Sequence, residues 1–284
     1  MRYFHRFYPG HLKVRFVFVV LVLSAAGFFQ NIAGQCFNEK VVFQPGEEVH
    51  YDAYYNWGFV WINAGRVTFA VKEDQWNNRP VWQFQAHGNT RKAYDVFFKV
   101  RDSFEVWVDP HSLKPLEFHR RTYEGSYRAH FHYLFDDEDR EVNASISKRE
   151  QPYRDTVFTW PRCTYDILSM VYQARNIDFS KYQRDEKIPI NMIVDGEVYN
   201  LYIRYLGRET IKDPSGREFR CLKFSPLLVE GTIFEKGEDM TVWVTDDQSR
   251  IPIIVEAKIL VGSVKAVFTG AEGLKYPLSA EVED

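Results

Sequence analysis

The sequence predicts a mainly β protein: two similar antiparallel β halves forming curved sheets or an incomplete barrel, with a central helix near residues 164–176. Three observations predict it. From Val41 onward, aromatic and β-branched runs alternate with Gly, Pro, Asn and Asp clusters about every ten residues. One stretch, Asp166 to Arg175, has helical spacing, with Leu168, Val171 and Tyr172 on one side. Two hairpin-like segments also echo each other: Glu105-Val-Trp-Val-Asp-Pro110 with its following Pro115, and Thr241-Val-Trp-Val-Thr-Asp246 with Pro252.

In chain order, strands are expected at 49–55, 64–71, 80–86, 103–109, 116–123 and 127–135. A shorter helix or turn is expected over 94–100, and a solvated acidic turn at Asp136 to Asp139, which lacks the Gly and ligand spacing of a calcium loop. After the helix, strands are expected at 187–194, 197–205, 219–225, 240–245, 251–259 and 264–270. In both echoed segments a strand meets an acidic turn, and a Pro enters the next strand. That is sound turn chemistry, since Pro cannot donate to a central ladder. The domain reading is a signal peptide at 1–34, a first β half at 35–163, a linking helix at 164–176, a second β half at 177–272 and an irregular tail at 273–284.

Composition narrows the function. The chain has 284 residues, 45% hydrophobic and 17% aromatic, far too apolar for a disordered protein. Its formal charge is −3, and removing the leader cations Arg2, Arg6, Lys13 and Arg15 leaves −7. No basic stripe remains to neutralise phosphates, so nucleic acid is excluded as a generic partner. Those four cations precede the apolar run Phe16 to Ala26, which is shorter than the roughly 20 residues that span a bilayer. Small and polar residues follow, in the order of a secretory signal peptide. Cleavage after Gly34 would expose Gln35. The rival readings are an uncleaved anchor and lipidation at Cys36; Gln35 argues against lipidation, because Gly, Ala or Ser normally stands there. Export is expected, to the periplasm or the outer membrane.

Only Cys36, Cys163 and Cys221 exist, so no CxxC motif is available. In an oxidising compartment Cys163 and Cys221 form the expected pair, because Cys36 lies in an expected flexible start. Free or buried thiols are the alternative.

The ordered set Gly46-Glu-Glu-Val-His-Tyr51, Ala64-Gly65, Val106-Trp-Val-Asp-Pro110, Pro115-Leu116, Tyr165-Asp-Ile-Leu-Ser169, Leu206-Gly-Arg-Glu209, Leu222-Lys223 and Trp243-Val-Thr-Asp-Asp247 resembles the bacterial family called domain of unknown function 3108. Arg250-Ile-Pro252, Glu256-Ala-Lys258 and Gly262-Ser-Val264 extend the likeness over most of residues 41–271. The resemblance implies an exported protein of Gram-negative bacteria and carries no catalytic residues. The hairpins are also remotely similar to the lipoprotein-carrier (LolA-like) group, whose curved sheet cups acyl chains around a helix.

Two constellations could carry chemistry. If Glu124-Gly125 turns the chain, Glu117, His119 and Arg121 share a strand face with Arg128, His130 and His132, with His119 near His130 and Glu117 near His132. A His-x-His strand with a third ligand can hold zinc. The plainer reading is the solvent-facing side of a hairpin whose Phe118, Phe131 and Tyr133 point inward, or an anion or headgroup contact. Arg121 and Arg128 would repel a cation, so neither a metal nor a cofactor is expected. Pairs such as Glu47-Glu48 and Asp246-Asp247 read as solvated. The segment Tyr51 to Trp61 places aromatics at both parities, so both faces are buried or some rings line a cavity. Tyr55, Trp57 and Trp61, with Trp107 and Trp243, are the candidate ligand lining; core packing is the alternative.

No hydrolase elbow, phosphate loop or dinucleotide glycine cluster occurs in the sequence. The expected function is therefore non-enzymatic: an envelope protein binding an apolar or amphiphilic ligand in a curved β-sheet. The alternatives are a structural or interaction module and a metal-dependent enzyme using the His hairpin. The partners expected are a lipid-like ligand or an envelope protein, with peripheral membrane association.

Overall fold

The computed structural model describes residues 35–37, 40–57, 60–229, 237–259 and 262–282. The expected signal peptide, 1–34, lies outside the described residues. Among these, no helix is long and apolar enough to cross a membrane.

The chain is mainly β, with one sheet of sixteen strands that does not close. Its first half holds β1 (Glu48–Trp57), β2 (Val60–Trp76), β3 (Arg79–Thr90), β4 (Arg101–Val108), β5 (Pro115–Glu124), β6 (Tyr127–Asp136), β7 (Glu141–Lys148) and β8 (Arg154–Thr159). A short β9 (Thr164–Asp166) leads into the helix α1 (Ile167–Arg175). The second half holds β10 (Lys187–Val194), β11 (Glu197–Lys212), β12 (Glu218–Pro226), β13 (Met240–Thr245), β14 (Pro252–Lys258) and β15 (Ser263–Glu272), and β16 (Glu281–Val282) follows. Each half is an antiparallel meander, so sequence neighbours are sheet neighbours. The halves join at one seam, where β1 pairs with β15 and Tyr51 lies opposite Phe268.

The echo between the halves extends to geometry. The β4–β5 ladder breaks register between Trp107 and Val108, and the β13–β14 ladder breaks between Trp243 and Val244. Each tryptophan donates its indole N–H two strands away, Trp107 to Asp74 Oδ2 on β2 (2.7 Å) and Trp243 to Glu209 Oε2 on β11 (3.2 Å). Bulges bend the strand that carries them and increase its twist, which favours curling over a flat sheet.

Helix α1 fills the curl. Asp166 caps it, accepting from the backbone N–H groups of Leu168 and Ser169 at 2.9 Å each, which starts the helix at Ile167. Thr164 to Asp166 instead form a parallel ladder with β10, correcting the expected helical start at 164. Tyr172 stacks on Phe84 with ring centroids 4.2 Å apart, and Phe43 packs edge-on to both rings. Arg175 is buried, and its guanidinium donates to both oxygens of buried Glu47 (2.5 and 3.2 Å) and to the Ser249 carbonyl (2.9 Å). The expectation of a solvated Glu47 is thereby corrected: the carboxylate satisfies a cation at the helix C-terminus.

The expected Cys163–Cys221 disulfide is also corrected. Cys36 bonds Cys163, with Cα atoms 5.0 Å apart. The segment around Cys36 is tied down: the Gln35 N–H donates to the Pro189 carbonyl (3.2 Å), the Tyr182 hydroxyl donates to Gln35 Oε1 (2.7 Å), and Phe37 enters the second-half core. Cys221 is free and buried among Phe219, Ile251 and Ile253. Burial, with Asp247 and Asp246 nearby, pushes its thiol pKa up to about 12.

The tail is irregular over 273–280, as expected, but it packs on the sheet and ends in the two-residue strand β16. Leu274 and Leu278 pack on the cluster around Cys221, the Ala280 N–H donates to Asp247 Oδ2 (2.9 Å), and β16 pairs with β12.

Candidate functional site

The β5–β6 hairpin builds the densest polar cluster anticipated above. Alternation sends Phe118, Phe131 and Tyr133 into the core and leaves Glu117, His119, Arg121, Arg128, His130 and His132 on the other face. The register differs by two residues from expectation. Gly125, at φ +57, and Ser126 make the turn, so Glu124 faces Tyr127 and His119 lies opposite His132 rather than near His130. A two-residue slip preserves faces and changes partners.

The resulting geometry is tight. Glu117 Oε1 lies 2.8 Å from both His119 Nε2 and His132 Nε2. The two rings stack with centroids 4.2 Å apart. Glu117 Oε2 accepts the Trp76 indole N–H at 2.7 Å, and Trp107 sets its ring edge against His119. Although burial opposes ionisation, hydrogen bonds from His119, Trp76 and His132 hold the Glu117 carboxyl below its ordinary pKa. His130 stacks beyond His119 and lies 2.6 Å from the Tyr153 hydroxyl through Nδ1. Burial and the nearby Arg121 hold its pKa low.

The arginines do not point into the cluster. Arg121 pairs with Glu105 (3.2 Å). Arg128 donates to the Gly125 and Tyr127 carbonyls and lies over the Tyr123 ring. Arg121 is thus partly offset by Glu105, though it still acts on His130, and Arg128 is engaged elsewhere.

The candidate ligand lining does not gather. Trp107 and Trp243 belong to equivalent places in different halves, each half-buried and tied to a carboxylate. Trp61 is exposed under the Lys265 ammonium (4.5 Å), and Tyr55 is half-buried near Gly262. The side chain of Trp57 lies outside what is described.

Sequence reasoning missed a second feature. Val96, Phe97 and Phe98, between Lys92 and Lys99, are 87%, 80% and 54% exposed. Their loop is held firmly: Asp95 accepts from the Thr90 hydroxyl (2.7 Å) and Arg101 (2.6 Å), and the Gly125 N–H donates to the Lys99 carbonyl (2.8 Å). The Phe98 ring lies where a Cβ on Gly125 would stand, only 2.8 Å away, so a side chain there would displace it. Exposed Val60 and Trp61 open β2 at the same end of the sheet, where the Arg91 N–H bonds the Ala64 carbonyl (2.8 Å). Three consecutive apolar residues inside a lysine-bounded turn, which no strand alternation can bury, are the sequence signal for this rim.

A curled antiparallel meander with one internal helix and two related hairpins defines the class: a barrel-like β protein. The chain belongs to the family described as "Protein of unknown function (DUF3108)", which matches residues 50–269. Its fold is similar to the crystal structure of a beta-barrel-like protein of domain of unknown function DUF1849 from Brucella abortus. The TM-score is 0.53 at 8% identity, covering 82% of this chain and 100% of that one. No curated protein matches the sequence.

Proposed function

We propose that the protein is a non-enzymatic, exported component of the bacterial envelope that associates peripherally with an anionic lipid surface through its apolar rim. The single observation carrying this reading is the exposed triplet Val96-Phe97-Phe98 between Lys92 and Lys99. Exposed rings held by a fixed loop lose little entropy on insertion, and each apolar side chain buried is worth roughly 1.5–3 kcal/mol. Flanking lysines add about 1 kcal/mol each near anionic headgroups. The amphiphile is assigned to the rim rather than the interior, because Phe43, Phe84 and Tyr172 pack together inside the curl.

Vesicle co-sedimentation tests it. Vesicles containing phosphatidylglycerol should pellet the protein, phosphatidylcholine vesicles should do so weakly, and Phe97→Ser should weaken binding at least about tenfold, the equivalent of 1.4 kcal/mol. If wild type and Phe97→Ser behave alike, or neither vesicle binds while an envelope protein is captured through the rim, the lipid reading is wrong and the interaction-module reading replaces it.

A further inference from the structure

We propose that Glu117, His119 and His132 form a binding site for a divalent transition metal of the zinc class, with a coordination position left open. The three donor atoms lie within 4.8 Å of one another: His119 and His132 are register-paired on adjacent strands, and Glu117 stands two residues before His119 on β5. Two imidazole nitrogens and one carboxylate oxygen are a borderline donor set suited to Zn²⁺ rather than Ca²⁺ or Mg²⁺. Tetrahedral ligands about 2.0–2.1 Å from a zinc ion lie about 3.3 Å apart. The two 2.8 Å contacts at Glu117 Oε1 therefore need to open by only a few tenths of an ångström.

The supporting shell is already placed. Trp76 fixes the second Glu117 oxygen, and the stacked rings hold the two Nε2 atoms toward one point. In the metal-free state both Nε2 atoms face the other oxygen, Glu117 Oε1, and a carboxylate oxygen can only accept, so both rings present Nε2–H there. Zn²⁺ takes the Nε2 lone pair of the other tautomer: each ring's single proton moves from Nε2 to Nδ1 by exchange with solvent, so both ligands stay neutral and no net proton is released. The Nδ1 of His119 is buried and has no hydrogen-bond partner among the described residues. With the metal on Nε2, this atom carries the ring proton and becomes a donor, the position that a carboxylate, a carbonyl or water partners in most histidine–metal sites. Two neutral histidines and one carboxylate leave net charge −1 at the site, with Glu105 engaging Arg121, so a dication is electrostatically welcome. The assignment is of binding alone; no reaction is attached to it.

A second cluster, Glu48, His50 and Glu272 at the seam, supplies the internal control: its groups are more exposed, and His50 Nε2 stands 3.6 Å from Glu48. The experiment is calorimetric titration of purified, chelator-stripped protein with Zn²⁺, paired with Co²⁺ absorption spectra. The expected result is one equivalent bound with visible tetrahedral Co²⁺ bands. His119→Ala and His132→Ala should each weaken Zn²⁺ binding by more than the roughly 10–100-fold typical of losing a supporting residue, and His50→Ala should leave it unchanged. Glu117→Gln keeps the hydrogen-bonding shape and removes the charge. It should also lose affinity while retaining the wild-type circular dichroism, which separates ligand loss from misfolding. No binding, or binding lost in His50→Ala and kept in His119→Ala, overturns the proposal.

Discussion

Asp102 on β4 accepts the backbone N–H of Tyr123 (3.0 Å), with the Glu124 carboxylate as its neighbour. Burial first, then repulsion from Glu124, raises its pKa to about 7, against an opposing contribution from Arg120. For an acid raised in the folded state, its contribution to stability is full below the unfolded value near 4 and is lost as pH rises through about 7. The melting temperature of the wild type should therefore fall between pH 5 and 8 relative to Asp102→Asn, whose amide can still accept from Tyr123. A constant difference across that range would rule out Asp102 as the titrating group. At the metal-type cluster, the shared face of Glu117, His119 and His132 is legible in the sequence because strand alternation is strict. Their exact partners are not. Glu124-Gly125 and Gly125-Ser126 both read as two-residue turns, glycine being suited to either central position, and only the Glu124–Tyr127 pairing identifies the second. Trp76 lies far away in sequence, and no local pattern announces its bond to Glu117.

Among the elements, most strands are legible from aromatic and β-branched runs, and β10 matches its expected limits at both ends. Four go unrecognised: β9 and β16, of only three and two residues, and the longer β7 and β8. In β7, Val142, Ala144 and Ile146 alternate cleanly and are buried, but small Asn and Ser residues between them dilute the β-propensity signal. In β8 the exposed edge has little apolar pattern to offer. The disulfide was not legible because pairing depends on where Gln35 and Phe37 are anchored, a tertiary fact. Peptide mapping under non-reducing conditions should recover the Cys36–Cys163 link, with Cys221 alkylated only after denaturation. In the chain-entropy treatment, a loop of this length, with the cysteines 127 residues apart, is worth about 5 kcal/mol. Cys163→Ser should consequently lower the melting temperature strongly, whereas Cys221→Ser should not act through any crosslink. Recovery of a Cys163–Cys221 peptide would reverse this assignment.

For the whole molecule, a sheet that does not close needs ties across its gap, and the β10–β11 turn provides one. Asp195 accepts from Arg120 on β5 and from Lys148 on β7, both at 3.0 Å. Removing the carboxylate leaves the largely buried Arg120 without its anionic partner, a loss on the order of 1–3 kcal/mol. Asp195→Ala should speed amide hydrogen exchange in β5–β7 more than in β13–β15; uniform acceleration or none would show that the gap is held elsewhere. The two-half architecture is legible from the echoed hairpins. That the halves make one sheet is not, because the joining strands share no local motif. The β1–β15 seam has a kinetic meaning as well. Nearly every other ladder links neighbours in the chain and closes short loops quickly, but Glu48 must wait for Glu272. Contacts of such high sequence separation form slowly. A nascent chain emerging from its N-terminus can fold its first meander and must carry β1 with an unpaired edge until β15 arrives. The two meanders are therefore joined into one sheet only late in folding, when β15 reaches the open edge of β1.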